Sequence, residues 1–201
     1  MLAFARKLPW MDRQMKAGEW YKIPGRSLSE CTLGVVGVGH CGMAVIRRAR
    51  AFGMQILGND IVDVAPDFLL ENGVQMTGLE DLLSRSDFVS LNTDLNPTSF
   101  HLINANTLAL MQPHATLINT SRGPVVDEPA LIEALRAGII GGAALDVFEI
   151  EPLPRESPLM RMDNVMLAPH NANSSPAAWE RVHWNTIRNL VEGLGIPFER
   201  D

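Results

Sequence analysis

Leu33-Gly34-Val35-Val36 runs straight into Gly37-Val38-Gly39-His40-Cys41-Gly42, and a helical pattern opens with Met43-Ala44-Val45-Ile46. The apolar run suits a strand buried on both faces. The glycines keep G-x-G-x-x-G spacing between that strand and the helix, which is the context that gives the pattern meaning. Gly37 permits the tight turn, Gly39 lets backbone approach a diphosphate, and Gly42 lets the helix pack closely on the strand. Phosphates placed there would meet unpaired N–H groups at a helix N-terminus. A glycine-rich turn in some other α/β domain has the same spacing, so the turn alone does not decide the ligand.

Downstream, the next apolar run leads to Asp60, 18 residues beyond Gly42. A carboxylate at that point accepts hydrogen bonds from the adenosine ribose hydroxyls and repels a 2′-phosphate, which favours NAD over NADP. A turn aspartate after Asn59 is the plain alternative, and Asp63 is a nearby competitor. The arginines at 47, 48 and 50 read as a solvated helix face.

Further outward the same alternation repeats. Apolar runs lie at Thr32 to Val36, Met54 to Leu57, Phe88 to Leu91, Thr116 to Ile118, Ala143 to Val147 and Val165 to Ala168. Helical patterns lie at Gly42 to Phe52, Leu79 to Ser84, Asn104 to Met111, Pro129 to Ala137 and Pro176 to Leu194. Short strands separated by helices predict an α/β fold, a doubly wound parallel sheet of the Rossmann kind. Residues 1–25 read as an amphipathic helix to about residue 18 and then a linker containing Pro24 and Gly25. No repeat, low-complexity tract or internal boundary stands out, so a single domain over 1–201 is expected.

Bulk properties narrow the class. The 201 residues are 46% hydrophobic and 20% charged, ordinary for a globular protein. A net charge of -6 gives no basic surface for nucleic acid or an anionic membrane. No apolar run reaches the roughly 18 to 20 residues that cross a bilayer. Cys31 and Cys41 make neither a disulfide framework nor a metal cluster, so no metal is expected and a reduced, cytoplasmic setting is the plain reading.

Ligands of a doubly wound sheet sit beyond the carboxyl ends of its strands. There the chain carries Asn119-Thr120-Ser121-Arg122-Gly123-Pro124, then Asp146-Val147-Phe148-Glu149-Ile150-Glu151-Pro152, then Ala168-Pro169-His170. An arginine, a carboxylate and a histidine at successive strand ends are an inventory for binding an anion and moving a proton. Singly, each has a structural alternative: a surface histidine, a loop acid, an arginine paired with Asp127.

Together with the glycine turn, Gly53 to Asp60 and Gly142 to Leu153, these segments resemble the D-isomer-specific 2-hydroxyacid dehydrogenases over about Met1 to Leu194. The resemblance implies that Arg122, Glu151 and His170 are the catalytic arginine, glutamate and histidine. It implies cofactor contacts from Gly37, Gly39, His40, Cys41, Gly42, Asp60, Thr93, Thr120, Ser121, Arg122, Asp146 and His170, with Asp146 at the nicotinamide carboxamide. NAD is the implied cofactor, a small anionic 2-hydroxyacid or 2-keto acid the implied substrate, and a homodimer through the nucleotide domain the implied assembly. Trp10, Trp20 and Tyr21 are candidates for that interface, or else pack on their own domain. Cys41 reads as a small apolar residue, not a reactive thiol.

The chain departs from the family at Asn171-Ala172-Asn173-Ser174-Ser175, where glycines usually follow the Pro-His pair, and at Thr93-Asp94-Leu95-Asn96-Pro97-Thr98, which replaces the usual Pro-Leu-Thr. It also lacks the substrate domain that the resemblance implies, so a fragment that binds NAD and catalyses poorly alone is expected. The alternatives are a non-catalytic NAD-sensing module of the corepressor type and another Rossmann class such as a methyltransferase.

Overall fold

The computed structural model describes residues 1–196. Its first element corrects the expected single helix, because α1 (Leu2–Ala5) and α2 (Leu8–Lys16) are separated by Arg6 and Lys7. Pro9 has no N–H to give the Ala5 carbonyl, so the helix cannot run through. That carbonyl instead accepts the Arg26 N–H at 2.9 Å. Lys7 turns the chain with a left-handed φ of 53°.

The alternating region follows: β1 (Thr32–Val36), α3 (His40–Ala51), β2 (Gln55–Asn59), α4 (Pro66–Asn72), β3 (Val74–Met76), α5 (Leu79–Arg85) and β4 (Phe88–Leu91). Beyond it lie α6 (Ala105–Leu108), β5 (Thr116–Asn119), α7 (Glu128–Arg136), β6 (Gly142–Leu145), β7 (Val165–Leu167) and α8 (Pro176–Gly193). The strands form one parallel sheet in the order β3-β2-β1-β4-β5-β6-β7. That order reverses between β1 and β4, which opens a crevice beyond their carboxyl ends.

Alternate residues of a strand face opposite sides of a sheet. Leu33 and Val35 accordingly join a cluster with Ile46, Ala49 and Ile56, while Val36 joins another with Leu82, Leu83 and Leu117. Both faces are dry, which is why the strands read as continuous apolar runs. Gly34 is required by this packing, since a Cβ there would lie 2.4 Å from Leu82 Cδ2.

Two elements had no signal in the sequence pattern: α4 and the three-residue edge strand β3. Only a half-buried Val74 and Met76 mark β3. The helix expected to run to Met111 is a single turn, α6, opened by Asn104, whose side chain accepts the Asn106 and Thr107 N–H groups. Its continuation is tight turns before Pro113, which disfavours helical backbone at the residue preceding it.

The chain divides into two compact units, Met1–Pro169 and a second beginning at His170. The second holds α8, capped by Ser175, whose hydroxyl accepts the Ala178 N–H at 3.1 Å.

Candidate functional site

The turn from β1 to α3 has three glycines kept for three reasons. Gly37 has φ 87°, and a Cβ on it would meet the Asn92 carbonyl carbon at 2.8 Å. A Cβ on Gly42 would lie 2.0 Å from the Gly37 oxygen, so α3 sits hard against the turn. Gly39, the N-cap of α3, is different: a Cβ there meets nothing within 4 Å. Protein packing does not demand glycine at 39, and the space beside it is open at the helix N-terminus. First-turn N–H groups lack helical partners there, which is the chemistry that receives a diphosphate. His40 and Cys41 are exposed in that first turn.

Asp60 closes the turn from the neighbouring strand. Its Oδ2 accepts the Val38 N–H at 2.6 Å and its Oδ1 the Val62 N–H at 3.0 Å. Each carboxylate oxygen has a further lone pair, so these bonds fix the carboxylate beyond β2 without exhausting it. On the other side, Asn92 Nδ2 donates to the Ser90 carbonyl at 3.1 Å, and the buried Thr93 Oγ1 has no partner among the described residues. A buried hydroxyl without a partner is uncommon and marks a place where a ligand or water completes the structure.

After β5, Asn119 organises the next segment. Its Oδ1 accepts the Ser121 N–H at 3.0 Å and hydroxyl at 2.8 Å, while its Nδ2 donates to the Arg122 carbonyl at 2.9 Å. This Asx turn leaves Arg122 exposed, with Nη1 on the Ser121 carbonyl at 2.7 Å. Asp127, the alternative partner for Arg122, instead caps α7 by accepting the Ala130 N–H at 3.0 Å. Thr120 is exposed and Ser121 buried. Asn119 stood in the quoted motif without a role; an Asn two residues before a Ser is the signal for this turn.

After β6, Asp146 is buried, and Glu151 is exposed with its Oε1 accepting the Phe148 N–H at 3.0 Å. Gly123 joins the two loops, since a Cβ there would lie 1.9 Å from the Phe148 oxygen. The structure thus brings Arg122, Asp146 and Glu151 to adjacent strand ends within the first unit. His170 opens the second unit with a left-handed φ of 51°.

The amino edge of the sheet carries a different cluster. Asp87 Oδ1 accepts from Arg26 Nη1 at 2.5 Å and His114 Nε2 at 2.6 Å, and its Oδ2 accepts the Thr32 N–H at 2.7 Å. Burial pushes the Asp87 carboxyl up, but the bonds from Arg26, Thr32 and His114 outweigh it and hold it below the ordinary value. The Arg26 guanidinium is raised by its bond to Asp87, and burial raises the Cys31 thiol. A cavity of about 330 Å³ lies here, lined by Phe4, Arg26, Cys31, Asp87 and His114. Trp10 packs edge-on against Phe4 at 5.3 Å and donates Nε1 to the Asp163 carbonyl at 2.8 Å. Trp20 and Tyr21 are exposed. Among the described residues no helix is long and apolar enough to cross a membrane.

A parallel sheet wound both ways, a glycine turn with an open middle glycine and an acid closing it from the second strand together define a dinucleotide-binding Rossmann domain. More narrowly, the chain belongs to the D-isomer specific 2-hydroxyacid dehydrogenase family, whose NAD binding domain model matches residues 1–172. A glyoxylate reductase from Korarchaeum cryptofilum is 43% identical over 202 residues, covering 95% of this chain and 59% of the relative. The D-lactate dehydrogenase of Aquifex aeolicus, solved with NAD and lactic acid, superposes with a TM-score of 0.87 at 31% identity, over 96% of this chain and 63% of that one. A family member from Xanthobacter autotrophicus Py2, solved with NADPH and MES, gives 0.82 at 37% identity, over 98% and 80%. The chain therefore spans about 59% of the length of that curated relative.

Proposed function

We propose that this chain is the cofactor-binding part of an NAD-dependent oxidoreductase acting on a small D-2-hydroxyacid or its 2-keto acid. The observation that carries the reading is the β1-to-α3 glycine turn, open at Gly39, tied to Asp60 and followed along the same edge by Arg122 and Glu151. Gly37, Gly39, His40, Cys41 and Gly42 hold the diphosphate, Asp60 the adenosine ribose, and Thr93, Thr120, Ser121 and Asp146 the nicotinamide half.

A bound nicotinamide supplies or accepts the hydride, and the protein supplies geometry and charge. Arg122 holds the substrate carboxylate and polarises the reacting carbonyl. His170 gives a proton to the carbonyl oxygen in reduction and takes it from the hydroxyl in oxidation. Glu151, whose Oε1 accepts the Phe148 N–H, supplies the carboxylate of the catalytic set. The chain spans about 59% of the length of the glyoxylate reductase it is similar to, and these residues without a closed cleft bind dinucleotide but turn over slowly. A homodimer using Trp20 and Tyr21, in a reduced cytoplasmic setting, completes the proposal.

Calorimetric titration with NAD and NADP tests the cofactor assignment. NAD is expected to bind more tightly, and Asp60→Ala to narrow the difference; tight NADP binding by the unaltered chain removes the role of Asp60. A keto-acid screen, with His170→Ala as its control, tests the chemistry. Turnover that survives the substitution contradicts the role of His170, and a protein that binds NAD without any turnover is the sensing module.

A further inference from the structure

Between the loops carrying Arg122 and Glu151 lies a cluster of side chains that the proposed reaction does not use. Glu149 Oε1 accepts from His101 Nε2 at 2.8 Å and from the Glu128 N–H at 3.2 Å. Reciprocally, the Glu149 N–H donates to Glu128 Oε2 at 3.2 Å. These three residues follow β4, β5 and β6 in turn, so one carboxylate ties three successive loops of the carboxyl edge. The backbone runs the same way: the His101 N–H donates to Pro124 O at 2.9 Å, and the Asp127 N–H to Ile103 O at 2.8 Å. His101 is held at a left-handed φ of 47°, a conformation that a residue other than glycine adopts at a cost unless its surroundings hold it there. Its ring stacks on Phe100 at 4.0 Å.

A second carboxylate close to Glu149 is unfavourable for folding alone. Burial, and then the Glu149 charge, push the Glu128 carboxyl up against the bond from the Glu149 N–H. The cluster links the Arg122 loop, through Glu128, to the Glu151 loop, through Glu149, two residues before Glu151. We propose that Glu149 is a positioning residue that sets the Arg122 and Glu151 loops against one another, acting through His101 and Glu128. The inference rests on the reading of this edge as the nicotinamide end of the site.

The test separates the two halves of the dinucleotide. The chain and its variants are titrated with NADH and with ADP-ribose, which has the diphosphate and adenosine ribose but no nicotinamide. Loss of the Glu149 bonds in Glu149→Ala is expected to weaken NADH about tenfold, the equivalent of one well-placed hydrogen bond, with ADP-ribose unchanged. Glu149→Gln restores part of the loss, because its amide oxygen still accepts the Glu128 N–H. His101→Ala, at a side chain 33% exposed, weakens NADH less and carries the test if Glu149→Ala does not fold. Equal losses for both ligands, or an NADH affinity that no variant moves, overturn the positioning role and leave the functional reading standing. A parent chain that binds neither ligand overturns both.

Discussion

The two edges of the sheet are built to opposite rules. At the amino edge, Asp87 gathers Arg26, His114 and the Thr32 amide onto one carboxylate. At the carboxyl edge, Gly39 faces open space, Thr93 Oγ1 has no partner among the described residues, and the Arg122 guanidinium donates to a backbone carbonyl beside it. The first edge is complete as folded; the second keeps polar capacity in hand for something it binds. The cavity at the amino edge follows from that difference. Its Arg26 and His114 side chains are both paired with Asp87.

Substitutions can break or sharpen this contrast. Gly42→Ala carries the largest expected effect, because its methyl lies 2.0 Å from a backbone oxygen that cannot move aside. A loss of about 3 kcal/mol or more, seen as a lower chemical-denaturation midpoint, follows from such overpacking. Asp87→Ala comes next, at about 2 kcal/mol, since it removes three hydrogen bonds at the amino edge, from Arg26, His114 and the Thr32 N–H. Its pH dependence has a definite sign. The folded carboxyl lies below its ordinary value, so the stabilisation is present above the unfolded value of about 3.9 and is lost as pH falls through the lower folded value. The denaturation midpoints of parent and variant therefore converge in acid, and a gap that stays constant contradicts the assignment.

Glu128→Gln is smaller and opposite. Its folded carboxyl is raised, so its contribution is full below the unfolded value of about 4.3 and is lost as pH rises through the folded one. The variant should match the parent near pH 4 and melt slightly higher at neutral pH; a lower melting temperature at neutral pH contradicts this. Gly39→Ala has the smallest effect on folding, within about 0.5 kcal/mol, because its methyl meets nothing.

The placement of the carboxyl-edge residues was legible because the strands that carry them are marked in the sequence, whereas their roles had structural alternatives. The glycine turn, Asp60 and the segments after β5 and β6 could be read from spacing on strands that announce themselves as apolar runs. What escaped was set by tertiary contacts. The edge strand β3 has three residues and no buried face to imprint a pattern. The break between α1 and α2 depended on Pro9, which was visible, and on Arg26 taking the freed Ala5 carbonyl, which was not. The tie among His101, Glu128 and Glu149 joins residues up to 48 apart in the chain, and no periodicity encodes that pairing.

The claim on which the rest depends is that a dinucleotide lies with its diphosphate in the space beside Gly39. Titrating NADH into Gly39→Leu and into the unaltered chain, with the melting temperature of each recorded alongside, tests it most directly. The account predicts a variant that still folds cooperatively, with binding weakened beyond detection. Unchanged NADH affinity in a folded Gly39→Leu would contradict it.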